Sequence, residues 1–149
     1  MKLGNHYKIG RLICQKMAEN DMPLNEPLFV FGNLAPDLTF SYLYRAHVRA
    51  LSSSYLDKRL QRLYKGGMAP GGARFSFYLG VMTHYICDFF CYPHTPAFKG
   101  GVREHVLYES KQKVDADDMR PFDKQKSMGL SLIKLTDMLN GYISMIEQL

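Results

Sequence analysis

The sequence predicts an all-α protein, folded as a single compact multi-helix domain over residues 1–149. Three observations support this prediction. Apolar residues recur at three- and four-residue spacing along much of the chain, which indicates amphipathic helices. No segment alternates apolar and polar residues for long enough to indicate a half-buried strand, and no internal repeat is present. The length suits one domain with a substantial core, and 46% hydrophobic with 22% charged residues is not the composition of a disordered chain.

The first helices are separated by proline-rich breaks. Ile9, Leu12, Ile13 and Met17 have helical spacing and predict a helix from Tyr7 to Asn20, with Asn5 as its N-cap. Two prolines in residues 21–27 end this helix, because proline removes a backbone donor and disfavours helical geometry. The apolar residues 28–33 then predict only a turn or two of helix.

The remaining elements are also predicted to be helical, apart from residues 40–50, which are either helical or irregular. Serines 52–54 offer caps for a helix through Tyr64, which the glycines and proline of residues 66–72 bring to an end. Ala73 to Cys91 is apolar around its whole circumference, which predicts a buried central helix that stops before Pro93. A helix from Gly101 to about Asp115 and a long amphipathic helix over residues 122–149 complete the prediction.

Composition narrows the class of protein and its location. The net charge is +5, a weak indication of phosphate-bearing partners or an anionic membrane surface. Three cysteines form no disulfide framework, which favours a reducing compartment. Lys8, Arg11 and Lys16 leave no apolar region for a signal peptide, and the longest apolar stretch is shorter than the roughly 20 residues of a membrane span. We therefore expect a cytoplasmic protein with no transmembrane segment.

Pairs of histidine and carboxylate residues give the strongest indication of chemistry. His84 and Asp88 lie four residues apart in the central helix, and His105 and Glu109 repeat this spacing in the next helix. Residues four apart share one helix face, which suits two ligands of one metal ion. A single pair of this kind is more often a hydrogen-bonded core pair. Two pairs with His94 between them favour a metal site.

The upstream residues extend the group. Asp37 ends the segment Phe-Gly-Asn-Leu-Ala-Pro-Asp, His47 follows ten residues later, and His6 precedes both. All five histidines of the chain therefore belong to one candidate multinuclear metal site.

This ordered series resembles the zinc-dependent phospholipase C family, which includes the secreted bacterial phosphatidylcholine phospholipases and the catalytic domain of clostridial alpha-toxin. The resemblance runs from His6 to Glu109, about three quarters of the chain. It is carried by eight ligand positions in the same order: His6, Asp37, His47, His84, Asp88, His94, His105 and Glu109.

The resemblance implies two or three zinc ions. The first ion is held by Asp37, His47, His84 and Asp88. Asp88 bridges to a second ion, which also binds His6 and the amine and carbonyl of the N-terminal residue. His94, His105 and Glu109 hold the third.

The first residue is a difference from the family. Family members begin, after cleavage, with a Trp that supplies the amine, whereas this chain has no Trp, so Met1 takes the corresponding position.

The implied activity is hydrolysis of a phosphodiester by a zinc-activated hydroxide that attacks phosphorus, with Asp37 orienting or deprotonating the water. The implied substrate is a phosphoester, including phospholipid at a membrane surface, and we expect no stable nucleic-acid partner. Two alternatives stay open. One is a zinc nuclease or nucleotidase, since such nucleases share the fold and the trinuclear site. The other is a non-catalytic metal-binding scaffold of the same fold.

Two further features have competing interpretations. Cys87 and Cys91 lie four residues apart and are possible soft metal ligands. The favoured interpretation is that both are small buried apolar residues, because cysteine is often buried. Residues 40–75 carry seven basic residues against Asp57 as the one acid. This basic segment, 45–74, is either a solvated helix face or a surface that attracts anionic lipid or nucleotide phosphate.

Overall fold

Apart from turns and loops, the part of the chain that the structure describes is helical. The computed structural model describes residues 1–19, 21–39, 55–56, 58–59, 61–63, 67–89 and 91–112. Its labelled elements are α1 (Leu3–Glu19), α2 (Glu26–Leu38), α3 (Ala73–Phe89), a 3-10 turn (Tyr92–His94) and α4 (Val102–Lys111). Residues 55–56, 58–59 and 61–63 are helical as well and are called the middle helical residues. Across these ranges there is no strand, and the predicted all-α class is confirmed. The segments predicted at 40–50 and 122–149 lie outside the described residues.

Helix α1 begins at Leu3, so the prediction that Asn5 caps a helix starting at Tyr7 is wrong. Asn5 lies inside the helix and is buried, and its side-chain amide donates a hydrogen bond to the carbonyl of Gln112 at 3.2 Å. Ile9, Ile13 and Met17 form one fully buried stripe along α1. His6 precedes this stripe by one turn, so the same face that packs into the core carries His6 into the interior.

Helix α2 is longer than its sequence predicts. It runs from Glu26 through Pro36 to Leu38, whereas only a turn or two was predicted. Asn25 is the N-cap, and its side chain accepts a hydrogen bond from the backbone N–H of Leu28 at 3.3 Å. Pro27 is tolerated in the first turn, because the N–H groups there have no partner within the helix. Asp37 consequently lies on a helix and not in a loop.

Helix α3 is the buried central helix that the sequence predicts. Every residue from Leu79 to Asp88 is buried, and the helix ends at Phe89, before Pro93. His84 and Asp88 are therefore polar groups in the middle of an apolar core. None of the described helices has the length and apolar character needed to cross a bilayer.

Two glycines bring α2 and α3 into backbone contact. A Cβ atom at Gly32 would collide with the carbonyl of Phe77, and one at Gly80 would collide with the carbonyl of Phe29. No side chain fits at either position unless the helices separate. This close crossing places Asn33 of α2 directly beside α3.

We expect Gly80→Ala to destabilise the fold by about 1–3 kcal/mol or more, because an added methyl group must push α2 away from α3. Gly4→Ala is the matched control, since no atom lies within 4 Å of a Cβ at Gly4 and alanine favours helix. Urea unfolding of both variants, followed by circular dichroism, measures the difference. Equal stability of the two variants would contradict a tight glycine crossing.

Candidate metal centre

The carboxylate of Asp88 is the centre of the candidate site. Its side chain is fully buried, and its two oxygens face different partners. Oδ1 lies 3.2 Å from His6 Nε2 and 2.5 Å from the α-amine of Met1, whereas Oδ2 lies 3.3 Å from His84 Nε2. A buried carboxylate is costly unless it is paired or bound to a metal ion, so this convergence of partners identifies a polar centre inside the core.

A first ligand group consists of His6, Asp37 and His84, which come from three different helices. One ligand atom of each lies within 4.8 Å of the others. The rings of His6 and His84 stack with their centroids 4.0 Å apart, and His84 Nε2 is 3.5 Å from Asp37 Oδ1. Such a spacing suits metal ligands, and it places His6 beside two predicted ligands of the first ion, whereas the resemblance assigns His6 to the second ion.

A second ligand group consists of Cys91, His94 and Glu109, whose ligand atoms also lie within 4.8 Å of one another. His94 Nε2 is 3.1 Å from Glu109 Oε1, and His105 Nε2 is 2.8 Å from the same oxygen. The 3-10 turn supplies His94, and α4 supplies the predicted ligands His105 and Glu109. Asp88 Oδ1 lies 3.9 Å from His94 Nε2, so the two groups meet at one carboxylate.

The α-amine of Met1 occupies the space between the two groups. It lies 2.9 Å from Glu109 Oε1 and 3.2 Å from His94 Nε2, in addition to its contact with Asp88. Burial opposes the charged form of this amine, but the negative charges of Asp88 and Glu109 outweigh the burial and raise its pKa to about 11. A positive nitrogen therefore lies where the predicted ligands converge.

The same surroundings lower the pKa of Glu109, whereas they raise that of the Met1 amine. Burial favours its neutral form, but hydrogen bonds from His94, the Met1 amine and His105 outweigh that cost. They lower the pKa of the Glu109 carboxyl to about 2. Glu109 is therefore an anion throughout the neutral range, as a metal ligand must be.

Asn33 is a residue of this centre that the sequence analysis did not single out. Its backbone carbonyl lies 2.9 Å from His84 Nδ1, and its side-chain amide donates to the carbonyl of His6 at 2.6 Å. Because Nδ1 of His84 is directed at the Asn33 carbonyl, Nε2 of His84 faces the carboxylates of Asp37 and Asp88. The motif that ends in Asp37 contains Asn33, but a backbone carbonyl has no signal of its own in a sequence.

Cys91 also lies at this centre, although the sequence favoured its interpretation as a small buried residue over that of a ligand. It belongs to the apolar core, as Cys87 does, but it also lies beside His94 and Glu109. Burial raises the pKa of the Cys91 thiol to about 12, which favours the neutral thiol at neutral pH. The favoured interpretation of Cys91 as a small buried residue therefore describes only part of its environment.

The chemistry of these residues fits a bound metal ion. Both ring nitrogens of His6 are buried and form no hydrogen bond with any described residue, although Nε2 faces Asp88. A buried polar atom without a hydrogen bond is costly, and a coordinated ion would satisfy it. Nitrogen and carboxylate oxygen are also the donors that zinc prefers. The remaining predicted ligand, His47, lies outside the described residues.

A helical scaffold with buried histidine and carboxylate side chains at its centre defines an all-α protein with a candidate metal site. A family model described as zinc-dependent phospholipase C matches residues 5–147, a range that includes every predicted ligand except Met1. No curated protein and no solved structure matched the chain. The chain belongs to the zinc-dependent phospholipase C family, which confirms the resemblance seen in its ordered ligands.

The lowered pKa of Glu109 predicts acid sensitivity of the metal-free protein. A carboxyl group with an ordinary pKa of 4.5 and a folded-state pKa of about 2 contributes stability above pH 4.5 and loses it as the pH falls toward 2. Glu109→Gln removes this contribution, so the variant should be less stable than the unmodified chain at pH 6. The difference in unfolding free energy between the two proteins should shrink as the pH falls through this range. Urea unfolding between pH 6 and 3 in chelator, with Glu104→Gln as a control on the same helix, measures it. Parallel pH profiles for Glu109→Gln and the unmodified chain would contradict the prediction.

Proposed function

We propose that the chain is a zinc-dependent phosphoesterase that hydrolyses a phosphodiester in the manner of a phospholipase C. The observation that carries the proposal is the convergence of two ligand groups on the buried Asp88, within a chain of this family. The substrate that the family favours is a phospholipid. We further propose that residues 1–149 act as one domain in the cytoplasm.

The proposed ligands are the residues that the ordered series identifies. Asp37, His84 and Asp88, with His47, would hold one ion, and His94, His105 and Glu109 would hold another. The Met1 amine and His6 would share a further ion with Asp88. The 2.5 Å contact of the amine with Asp88 supports this last assignment, because the amine already lies within the ligand cluster.

Zinc, when bound, would supply a Lewis acid that polarises the phosphate and lowers the pKa of water. The three described carboxylates of the candidate centre differ in exposure, and this difference separates their proposed roles. The Asp88 side chain has no exposed surface, that of Glu109 is 19% exposed, and that of Asp37 is 28% exposed. Asp37 is thus the carboxylate best placed to accept a proton from a water molecule. The core shields Asp88 from water, so its proposed role is that of a metal ligand and not of a proton acceptor.

The role of Asp37 predicts the effect of one substitution. Asp37→Asn keeps the shape of the side chain but removes a proton acceptor, so we expect phosphodiester hydrolysis to fall by about 100-fold or more. Asp21→Asn is the matched control. Asp21 has a positive φ of 59°, a conformation that asparagine also tolerates, so activity should be retained.

The measurement is hydrolysis of a chromogenic phosphodiester with zinc present, repeated with chelator. Phosphatidylcholine, single-stranded DNA and a nucleotide monophosphate are then tested in parallel. Full activity of Asp37→Asn would remove this residue from the mechanism. Activity on DNA alone would favour the nuclease alternative, and zinc binding without turnover on any substrate would favour the scaffold.

The position of the Met1 amine predicts a difference in zinc content. An amine binds zinc only when it is unprotonated, and a blocking group prevents binding altogether. Chains with a free Met1 amine should therefore bind about one zinc ion more than chains with an N-terminal tag. A C-terminal tag is the matched control and should not change the zinc content.

Elemental analysis of protein purified without chelator gives the zinc content. We expect two or three ions in the chain with a free amine. Less than one ion per chain would contradict the metal centre, whereas equal content in all forms would mean that another ligand replaces the amine.

A further inference from the structure

A cavity lined by positively charged side chains lies away from the candidate metal centre. It has a volume of about 280 Å³ and is lined by Arg59, Arg62, Met68, Arg74 and Tyr78. Two of the arginines come from the middle helical residues, and the third comes from the first turn of α3. The cavity therefore collects three guanidinium groups from two separate parts of the chain. No described carboxylate lines it.

The guanidinium of Arg59 is held in a fixed orientation. Its carbon atom lies 4.8 Å from the ring centroid of Tyr78 and 5.1 Å from that of Tyr55. Its Nε donates a hydrogen bond to the Tyr55 hydroxyl at 2.9 Å. Stacking against aromatic rings fixes the planar group before any ligand arrives, so less entropy is lost when a ligand binds.

Arg62 and Arg74 complete the charge of the cavity. Both are exposed, and neither forms an ion pair with a carboxylate of the described residues. Three like charges around one small cavity repel one another, and an anion between them would relieve this repulsion. A solvated helix face, in contrast, spreads its charges toward water and does not stack one of them between two rings.

The cavity and the metal centre occupy different parts of α3. Tyr78 and His84 are six residues apart, which is about 9 Å along the helix axis and on different faces. Aromatic rings lie between the two sites: Tyr85 contacts His84 on one side and Tyr55 on the other, with centroids 5.4 and 5.5 Å apart. A ligand in the cavity is therefore not a ligand of the metal centre.

We propose that this arginine cavity is a second binding site, specific for a phosphate group. Guanidinium groups match phosphate because their planar N–H pairs bind two oxygens at once. The phosphate can belong to a lipid headgroup or to a small soluble phosphate. The site does not depend on the proposed hydrolase activity.

The test first compares three forms of the zinc-loaded full chain by calorimetric titration with inorganic phosphate, and Arg59→Lys is then measured as a fourth form. Arg62→Gln/Arg74→Gln removes two charges from the cavity. Lys8→Gln/Lys16→Gln removes the same charge from α1, away from the cavity. Phosphate bound at the metal centre contributes equally to all three forms, so it does not affect the comparison.

We expect the arginine double variant to lose the cavity component of binding, with an affinity weaker by about tenfold or more, because two charge-assisted contacts are removed. The lysine double variant should bind as the unmodified chain does. Arg59→Lys keeps the charge but not the planar group, and it should also bind phosphate more weakly. Equal phosphate binding by the unmodified chain and the arginine double variant, or full affinity in Arg59→Lys, would overturn the proposal.

A second measurement distinguishes the two sources of phosphate. Sedimentation with vesicles of phosphatidylcholine alone, and of phosphatidylcholine mixed with phosphatidylglycerol, is compared for the same forms. Loss of vesicle binding in the arginine double variant alone, together with weaker phosphate binding, would support a lipid headgroup. Unchanged vesicle binding with weaker phosphate binding would support a small soluble phosphate. Circular dichroism checks that each variant is folded.

Discussion

The burial of one carboxylate, that of Asp88, is the constraint on which the rest of the centre depends. A negative charge inside an apolar helix must be surrounded by groups that compensate it, and the described residues supply these from three directions. His6 reaches it from α1, His84 from one turn earlier in α3, and the Met1 amine from the start of the chain. The two ligand groups are adjacent because both adjoin this carboxylate.

The candidate centre includes a cationic group of the chain itself. The Met1 ammonium group contacts two carboxylates that a zinc ion would also need, and its raised pKa keeps it protonated at neutral pH. Zinc that binds through this amine must therefore displace a proton, so metal binding and proton release are coupled. The same electrostatic field that favours a metal ion also favours its competitor, and the balance between the two depends on pH.

The sequence predicts the parts of this centre that follow from spacing. His84 with Asp88, and His105 with Glu109, lie on single helices, so their geometry is fixed by the four-residue interval. Contributions that depend on how helices cross have no such signal. The carbonyl of Asn33 reaches His84 only because α2 runs past Pro36 and packs closely on α3, and Cys91 joins His94 only through the turn between α3 and α4.

The glycine crossing of α2 and α3 has a consequence for anyone who wishes to move this centre into another scaffold. Copying the ligands onto a generic helical bundle would reproduce their identities but not the distance between the helices, because helix axes usually lie 8–10 Å apart according to their side chains. The transplant would therefore need Gly32 and Gly80 as well. These two residues bind nothing, yet they set the spacing at which Asn33 can orient a ligand.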